Sequence, residues 1–409
     1  MKIFIFEYIT GGGFIEENLP IPLVCEGAAM LLSVIKGLIN SDFEINIILD
    51  YRLIDYKEYF KDVKVEFIKK KSEFDGIFKK YLEESNYYLI IAPEFDKILE
   101  KLTRIAEDGD LFNRKNLGCN SNSINIAGDK IKTYHSLNSL KKYLPETEDC
   151  KIRTDLEILN KICKDINYPV IFKPLDGVSG GGVSLIKNKN QIKKGIDKII
   201  ANTNLDSFII QEFIQGSDSS VSLFIKNKKA FPLTLNYQFI QLEDPFKETK
   251  YNGGYIPYIA ESMDTKEIFD LIKHIPKIIS GLNGYIGIDL IIGDRPYIIE
   301  VNPRLTTSYV GIKELLLEDL FSQTILNSDI NIDLDNSINN VFFKRLEFKI
   351  DKNVDIKDFN RNPYKEDFVT PLFKFENKLT GFMVLKSNSL ENNINKLKNI
   401  QKYFKSRIS

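Results

Sequence analysis

The most constraining stretch of this chain is GYIGIDLIIGDRPYIIEVN, residues 284–302, where two runs of strand-forming residues meet at GDRP. It reads as an antiparallel hairpin. If Asp294 and Arg295 form a two-residue loop, Gly293 faces Pro296 and Asp289 lies directly opposite Glu300; if the loop is Gly293 and Asp294, the two acids become diagonal neighbours. Either register keeps Asp289, Glu300 and Asn302 on one face, because side chains alternate with period two. Ile288, Leu290, Ile292, Ile299 and Val301 then form a core face. Two carboxylates and an amide oxygen, without His or Cys, make a hard-oxygen site suited to Mg²⁺ bridging phosphates. Acids on a hairpin are by themselves more often a solvated face, so their companions carry the weight.

Arg304 follows in EVNPR, where a guanidinium can neutralise phosphate oxygens beside a metal. Upstream, FKPLDGVSGGGVSLI joins a strand carrying Lys173 to a loop with Gly177, Gly180, Gly181 and Gly182, then to another strand. Glycines let backbone approach phosphates and let a loop close over them. No G-K-[ST] opens a helix, so this is not a Walker A loop. Lys130, in GDKIKTY, falls at an expected helix start, where a lone lysine is ordinarily solvated. In FIIQEFIQG, Gln211 or Glu212 could take an adenine amine and the Ile214 backbone a ring nitrogen, while Asp218 could accept ribose hydroxyls. Singly, each is an ordinary strand-end residue.

At 409 residues the chain has room for two or three domains. Strand patterns at 2–6, 44–50, 64–69 and 87–92, with a helical pattern over 22–39, predict a parallel α/β sheet. Strands at 170–174, 182–187 and 208–214, with the hairpin, predict an α+β body. A last piece from 331 has strand-like FFKRLEFKI and TGFMVLK and a closing helix, with Ser389 as N-cap and Leu390, Ile394, Leu397 and Phe404 on one side.

A net charge of −1 argues against a nucleic-acid partner. Cys25, Cys119, Cys150 and Cys163 form no C-x-x-C pair, which fits a reduced, cytoplasmic protein with buried thiols. No signal peptide is expected, because Glu7 interrupts the short apolar start, and no stretch is expected to reach membrane-spanning length. With only His135 and His274, both expected on the surface or in helices, a His-based triad or metal site is disfavoured. TGGGF is not G-x-G-x-x-G, so a dinucleotide site is weakly supported.

Lys130, Lys173, the glycine loop, QEFI, Asp289 and EVNPR occur in an order that resembles the ATP-grasp superfamily, in which two α+β subdomains grip ATP. The resemblance implies a Rossmann-like pre-ATP-grasp domain over 1–118, an ATP-grasp domain over 119–330 and a small C-terminal α+β piece over 331–409. It implies that Lys130 and Lys173 contact phosphates and that Gly180, Gly181 and Gly182 close over them. Gln211, Glu212 and Ile214 match the adenine edge and Asp218 the ribose acid, a position usually held by Glu. Asp289, Glu300 and Asn302 match ligands for Mg²⁺, with Mn²⁺ as an alternative. Lys173 and Arg304 match catalytic cations, Arg304 steadying the transferred phosphoryl group and the tetrahedral intermediate.

A narrower likeness, carried by FEYITGGG, EGAAML, EVNPRLTTSYVG and a looser C-terminal match, is to amine–glutamate ligases of methanofuran-type cofactor synthesis. It implies L-glutamate as acyl donor, through its γ-carboxylate, and tyramine or a similar amine as acceptor. YNGGYIP and LTTSY are candidate substrate segments, with Tyr255, Tyr258 and Tyr309 lining a phenol slot. A glutamate-chain-extending ligase, an ATP-grasp carboxylase or kinase, a nucleotide-binding regulator and a Rossmann-type dehydrogenase are the rival readings. A membrane partner is not expected, and a homo-oligomer is left open.

Overall fold

Five parallel strands open the computed structural model, which describes residues 1–39, 43–108, 114–177, 180–350 and 356–408. They are β1 (Lys2–Glu7), β2 (Glu44–Asp50), β3 (Lys64–Ile68), β4 (Tyr87–Ile91) and β5 (Lys115–Asn116), in the order β3-β2-β1-β4-β5. Covered on both faces, β1 and β4 are nearly continuous apolar runs, as central parallel strands must be. The two-residue β5 is too short to carry a pattern.

Helix α1 (Ile21–Leu38) starts at a proline, whose missing N–H costs nothing in a first turn. Its 18 residues and mean hydropathy of 1.7 equal those of a membrane-crossing helix, which corrects the expectation that no stretch approaches one. Its apolar character has another cause: 67% of the helix is buried in the fold. It is wrapped by β1 and by residues far down the chain, including Phe321, Phe343 and Phe382.

A second, antiparallel sheet comprises β6 (Thr147–Lys151), β7 (Val170–Pro174), β8 (Ser184–Ile186) and β9 (Ser207–Glu212), in the order β6-β9-β7-β8. Helices Leu156–Ile166 and Ile192–Ile200 cover it through Leu159, Cys163, Ile196 and Ile199.

The third sheet has eight strands: β10 (Ser217–Lys226), β11 (Lys229–Gln241), β12 (Lys250–Ile256), β13 (Gly284–Ile292), β14 (Pro296–Asn302), β15 (Asn340–Lys349), β16 (Phe373–Phe375) and β17 (Lys378–Ser387). Their order is β14-β13-β10-β11-β12-β15-β17-β16, so the C-terminal strands extend the sheet that carries the acidic hairpin. Polar β10 hides its strand character because its hydroxyls are used inside: Asn236 donates to Ser220 and Ser222, and Ser222 bonds the Tyr285 hydroxyl. The last helix, Leu390–Ile408, is capped as expected, with Ser389 Oγ accepting from Asn392 N at 3.2 Å. All four cysteines are free and buried, and both histidines are exposed.

Candidate functional site

The hairpin closes differently from either expected register, yet delivers the expected pair. Ile292 faces Pro296, so the loop has three residues, Gly293, Asp294 and Arg295. A bulge at Ile299 then restores the count, and Asp289 lies directly opposite Glu300, with Gly287 opposite Asn302. The bulge has a second effect. Ile299, expected in the core, lines a cleft beside Glu300, and Ile298 takes the core place.

That cleft, of about 540 Å³, lies where the three sheets meet. Asp289, Glu300 and Asn302 converge in it. Asp289 accepts from Gln238 Nε2 and Asn302 Nδ2, each at 3.1 Å. Burial, and then the Glu300 charge, push the Asp289 carboxyl up to about 6. Lys130 Nζ sits 3.1 Å from Glu300 Oε1 and donates to the Gly177 carbonyl at 3.0 Å, tying the acid to the glycine loop. Asp129 caps the helix that begins at Lys130, accepting from the Ile131 and Lys132 amides.

Lys173 reaches the same space from β7, donating to Gln211 Oε1 at 2.8 Å. Burial brings its ammonium down to about 8, opposed by Glu300 and reinforced by Lys130. Gln211 also donates to Thr147 Oγ1 at 3.0 Å, so its amide braces Lys173. Glu212 accepts from the Glu146 amide while lining the cleft, as do Ile214 and Asp218. Burial raises the Asp218 carboxyl to about 6 against the pull of Lys173. Ile171 and Leu185 from one sheet, and Ile291 and Ile299 from the other, give this region apolar walls with the 211–215 backbone among them. A flat heteroaromatic ring with hydrogen-bonding edges suits such a slot.

Of the loop glycines, Gly177 and Gly180 line the cleft, whereas Gly181 and Gly182 do not. Val178 and Ser179 lie outside the described residues. Gly180 and Gly182 have φ of +79° and +75°, a region that disfavours side chains.

Arg304 points at Glu94, with Nε and Nη2 at 2.9 and 2.8 Å from Oε2. Burial works against its charge, but the Glu94, Glu300 and Asp289 carboxylates together raise the guanidinium's pKa. Glu94 and Gln238 were missed in the sequence, and Glu7 and Glu26 were given no role there, although the motifs FEYITGGG and EGAAML contain them. Glu7 and Glu94 stand at the carboxyl ends of β1 and β4, the edge where open α/β sheets bind ligands, so topology was an available signal. Glu7 Oε1 accepts from Ile9 N, and its Oε2 from Thr10 N and Oγ1; burial still lifts its carboxyl to about 7.

The expected tyrosine slot is corrected. Tyr309 is in the core, bonded to Asp319, because its helix packs against α1. Tyr255 and Tyr258 pack with Tyr237 in an aromatic cluster away from the cleft. From the two candidate segments, Tyr251, Thr306, Thr307 and Ser308 line the cleft, with Thr307 Oγ1 donating to Tyr251 at 3.0 Å.

A family profile described as "ATP-grasp domain" matches residues 127–308, and one described as "pre ATP-grasp 3 domain" matches 43–124. The chain is 33% identical over 333 residues to tyramine–L-glutamate ligase of Methanocaldococcus fervens, covering 80% of this chain and 95% of that one. It is 33% identical over 316 residues to the enzyme of the same name from Methanocaldococcus jannaschii, covering 76% and 84%. Among solved structures, an ATP-grasp superfamily protein of Archaeoglobus fulgidus superposes with TM-score 0.61 at 24% identity, over 94% of this chain and 99% of that one.

Proposed function

This chain belongs to the ATP-grasp family, and we propose that within it the protein joins the γ-carboxylate of L-glutamate to tyramine or a closely similar amine. It is a carboxylate–amine ligase of the ATP-grasp type, a family that uses ATP with a divalent metal. The proposal extends to Mg²⁺ as the metal, with Mn²⁺ as substitute, to methanofuran-type cofactor synthesis as the setting and to the cytoplasm as the place.

The observation that carries the reading is the convergence, in one cleft, of an opposed carboxylate pair, a buried lysine and a part-buried one, and a clamped arginine. The donor set of Asp289, Glu300 and Asn302 fits a hard divalent ion. Two part-buried acids face each other across a ladder, and Lys130 sits on Glu300 as counter-charge. When bound, the ion supplies charge neutralisation at the phosphates.

In this reading 119–330 grips the nucleotide, 1–118 contributes to the substrate wall, and 331–409 braces that wall through Arg345. Lys130 and Lys173 offset phosphate charge, and the slot around 211–215 holds the base with Asp218 on the ribose. The glutamate γ-carboxylate oxygen bonds to the γ-phosphorus as the β–γ bridge breaks, releasing ADP and leaving an acyl phosphate. The neutral amine nitrogen then bonds to the acyl carbon, the bond from that carbon to the phosphate oxygen breaks, and phosphate leaves, taking up the proton that the amine nitrogen sheds. Arg304, held by Glu94, stabilises the oxyanion between these events.

The test is purified protein with Mg²⁺–ATP, glutamate and a panel of tyramine, tyrosine, glutamate and alkylamines, read by mass spectrometry. γ-Glutamyl-tyramine, formed with equal ADP and phosphate, is the expected main product. Turnover with glutamate as acceptor and none with phenolic amines would move the function to glutamate-chain extension. No amide with any pair would overturn the substrate assignment.

A further inference from the structure

Helix α1 presents a stripe to the cleft that the nucleotide and metal roles leave unused. Leu23, Glu26, Gly27 and Met30 all line the cavity, at the i, i+3, i+4, i+7 spacing of one helical face. Glu26 is the charged member. Its Oε1 accepts from Arg345 Nη1 at 2.9 Å, and among the described residues its other oxygen has no hydrogen-bond partner. Its side chain as a whole is 13% exposed, and the residue borders the cleft. Leu23 and Met30 lie about one turn to either side, and Ile9 lines the same wall. Glu7 does not compete for a ligand, since Ile9 and Thr10 occupy both its oxygens. Gly27 makes room for that arrangement: a Cβ there would come within 2.5 Å of the Glu7 carboxylate.

We propose that this stripe is the acceptor subsite, where Glu26 receives the primary ammonium of an arylalkylamine and Leu23, Met30 and Ile9 cover its hydrocarbon part. The proposal rests on the ligase reading above and names the side chain that selects the amine. A carboxylate with one oxygen fixed and one free is a directional, charge-assisted acceptor for an ammonium. An α-amino acid would bring its own carboxylate between two apolar side chains with no partner for it, at a desolvation cost; an arylalkylamine brings no anion. Arg345 belongs to β15, so the C-terminal strands gain a function: Arg345 is a positioning residue that fixes the rotamer of Glu26.

Calorimetric titration of tyramine and of 4-hydroxyphenethyl alcohol, in the presence of a non-hydrolysable ATP analogue, tests this without turnover. Wild type should bind the amine about tenfold or more tighter than the alcohol, the loss expected for one charge-assisted hydrogen bond. Glu26→Gln should erase that preference and leave the affinities for ATP analogue and glutamate unchanged, which also certifies the fold. A preference that survives in Glu26→Gln, or its absence in wild type, overturns the subsite. Weakened glutamate with unaltered tyramine would assign Glu26 to the donor instead and overturn the acceptor claim. If wild type shows the preference but makes no γ-glutamyl amide in the product panel, the subsite stands and the substrate pairing falls.

Discussion

Asp289 and Glu300, both part-buried, face each other in the cleft, and Lys130 sits 3.1 Å from Glu300. Like charges at that spacing are held by surrounding cations and amide donors, here Lys130, Gln238 and Asn302. Glu300→Gln keeps the shape and removes the charge. Turnover should fall by at least about two orders of magnitude, as is typical when one key electrostatic group is lost. Steady-state phosphate release, with melting measured alongside, checks this; near-normal turnover would remove Glu300 from the metal set. Arg304 was read from EVNPR, but Glu94, which aims it, lies far away in sequence, and no local pattern joins the two.

At the level of elements, the hairpin and the glycine loop behave differently. The hairpin's facing acids were legible because period-two alternation is local. Its three-residue loop and the compensating bulge were not, since two registers fitted the same letters. The glycine loop is tied from outside: Val183 O accepts from Thr249 Oγ1 at 3.1 Å and from Lys198 Nζ at 3.1 Å. A loop that closes over phosphates should lose exchange when they arrive. Amide hydrogen exchange at residues 180–182 should therefore slow at saturating ATP analogue. Unchanged exchange there would exclude a closing lid.

Across the whole molecule, α1 is the member that the first sheet and the C-terminal strands share. Phe343 on β15 is fully buried in that common core, against Gly311 and Gly254. Phe343→Ala should cost about 3–5 kcal/mol, as large-to-small changes in packed cores do. Denaturant unfolding followed by two probes should show one transition at a lower midpoint. A separate early transition of the C-terminal strands would show that they are not part of the same cooperative unit.

What the sequence by itself determined is what local periodicity and local chemistry encode: the parallel strands, the acidic face of β13 and β14, the capped last helix, and the order of lysines, glycines and acids along the chain. The likeness to amine–glutamate ligases was also present there, in motifs that include Glu7 and Glu26. Their side-chain placement was decided by the tertiary structure. Glu26 is poised because Arg345, 319 residues later, reaches one of its oxygens, and Tyr309 is lost to the core because its helix packs on α1. Polar β10 is a strand because Asn236 and Tyr285 satisfy its serines. Each is a partnership between residues distant in the chain, and a one-dimensional pattern carries no term for a partner that only folding brings near.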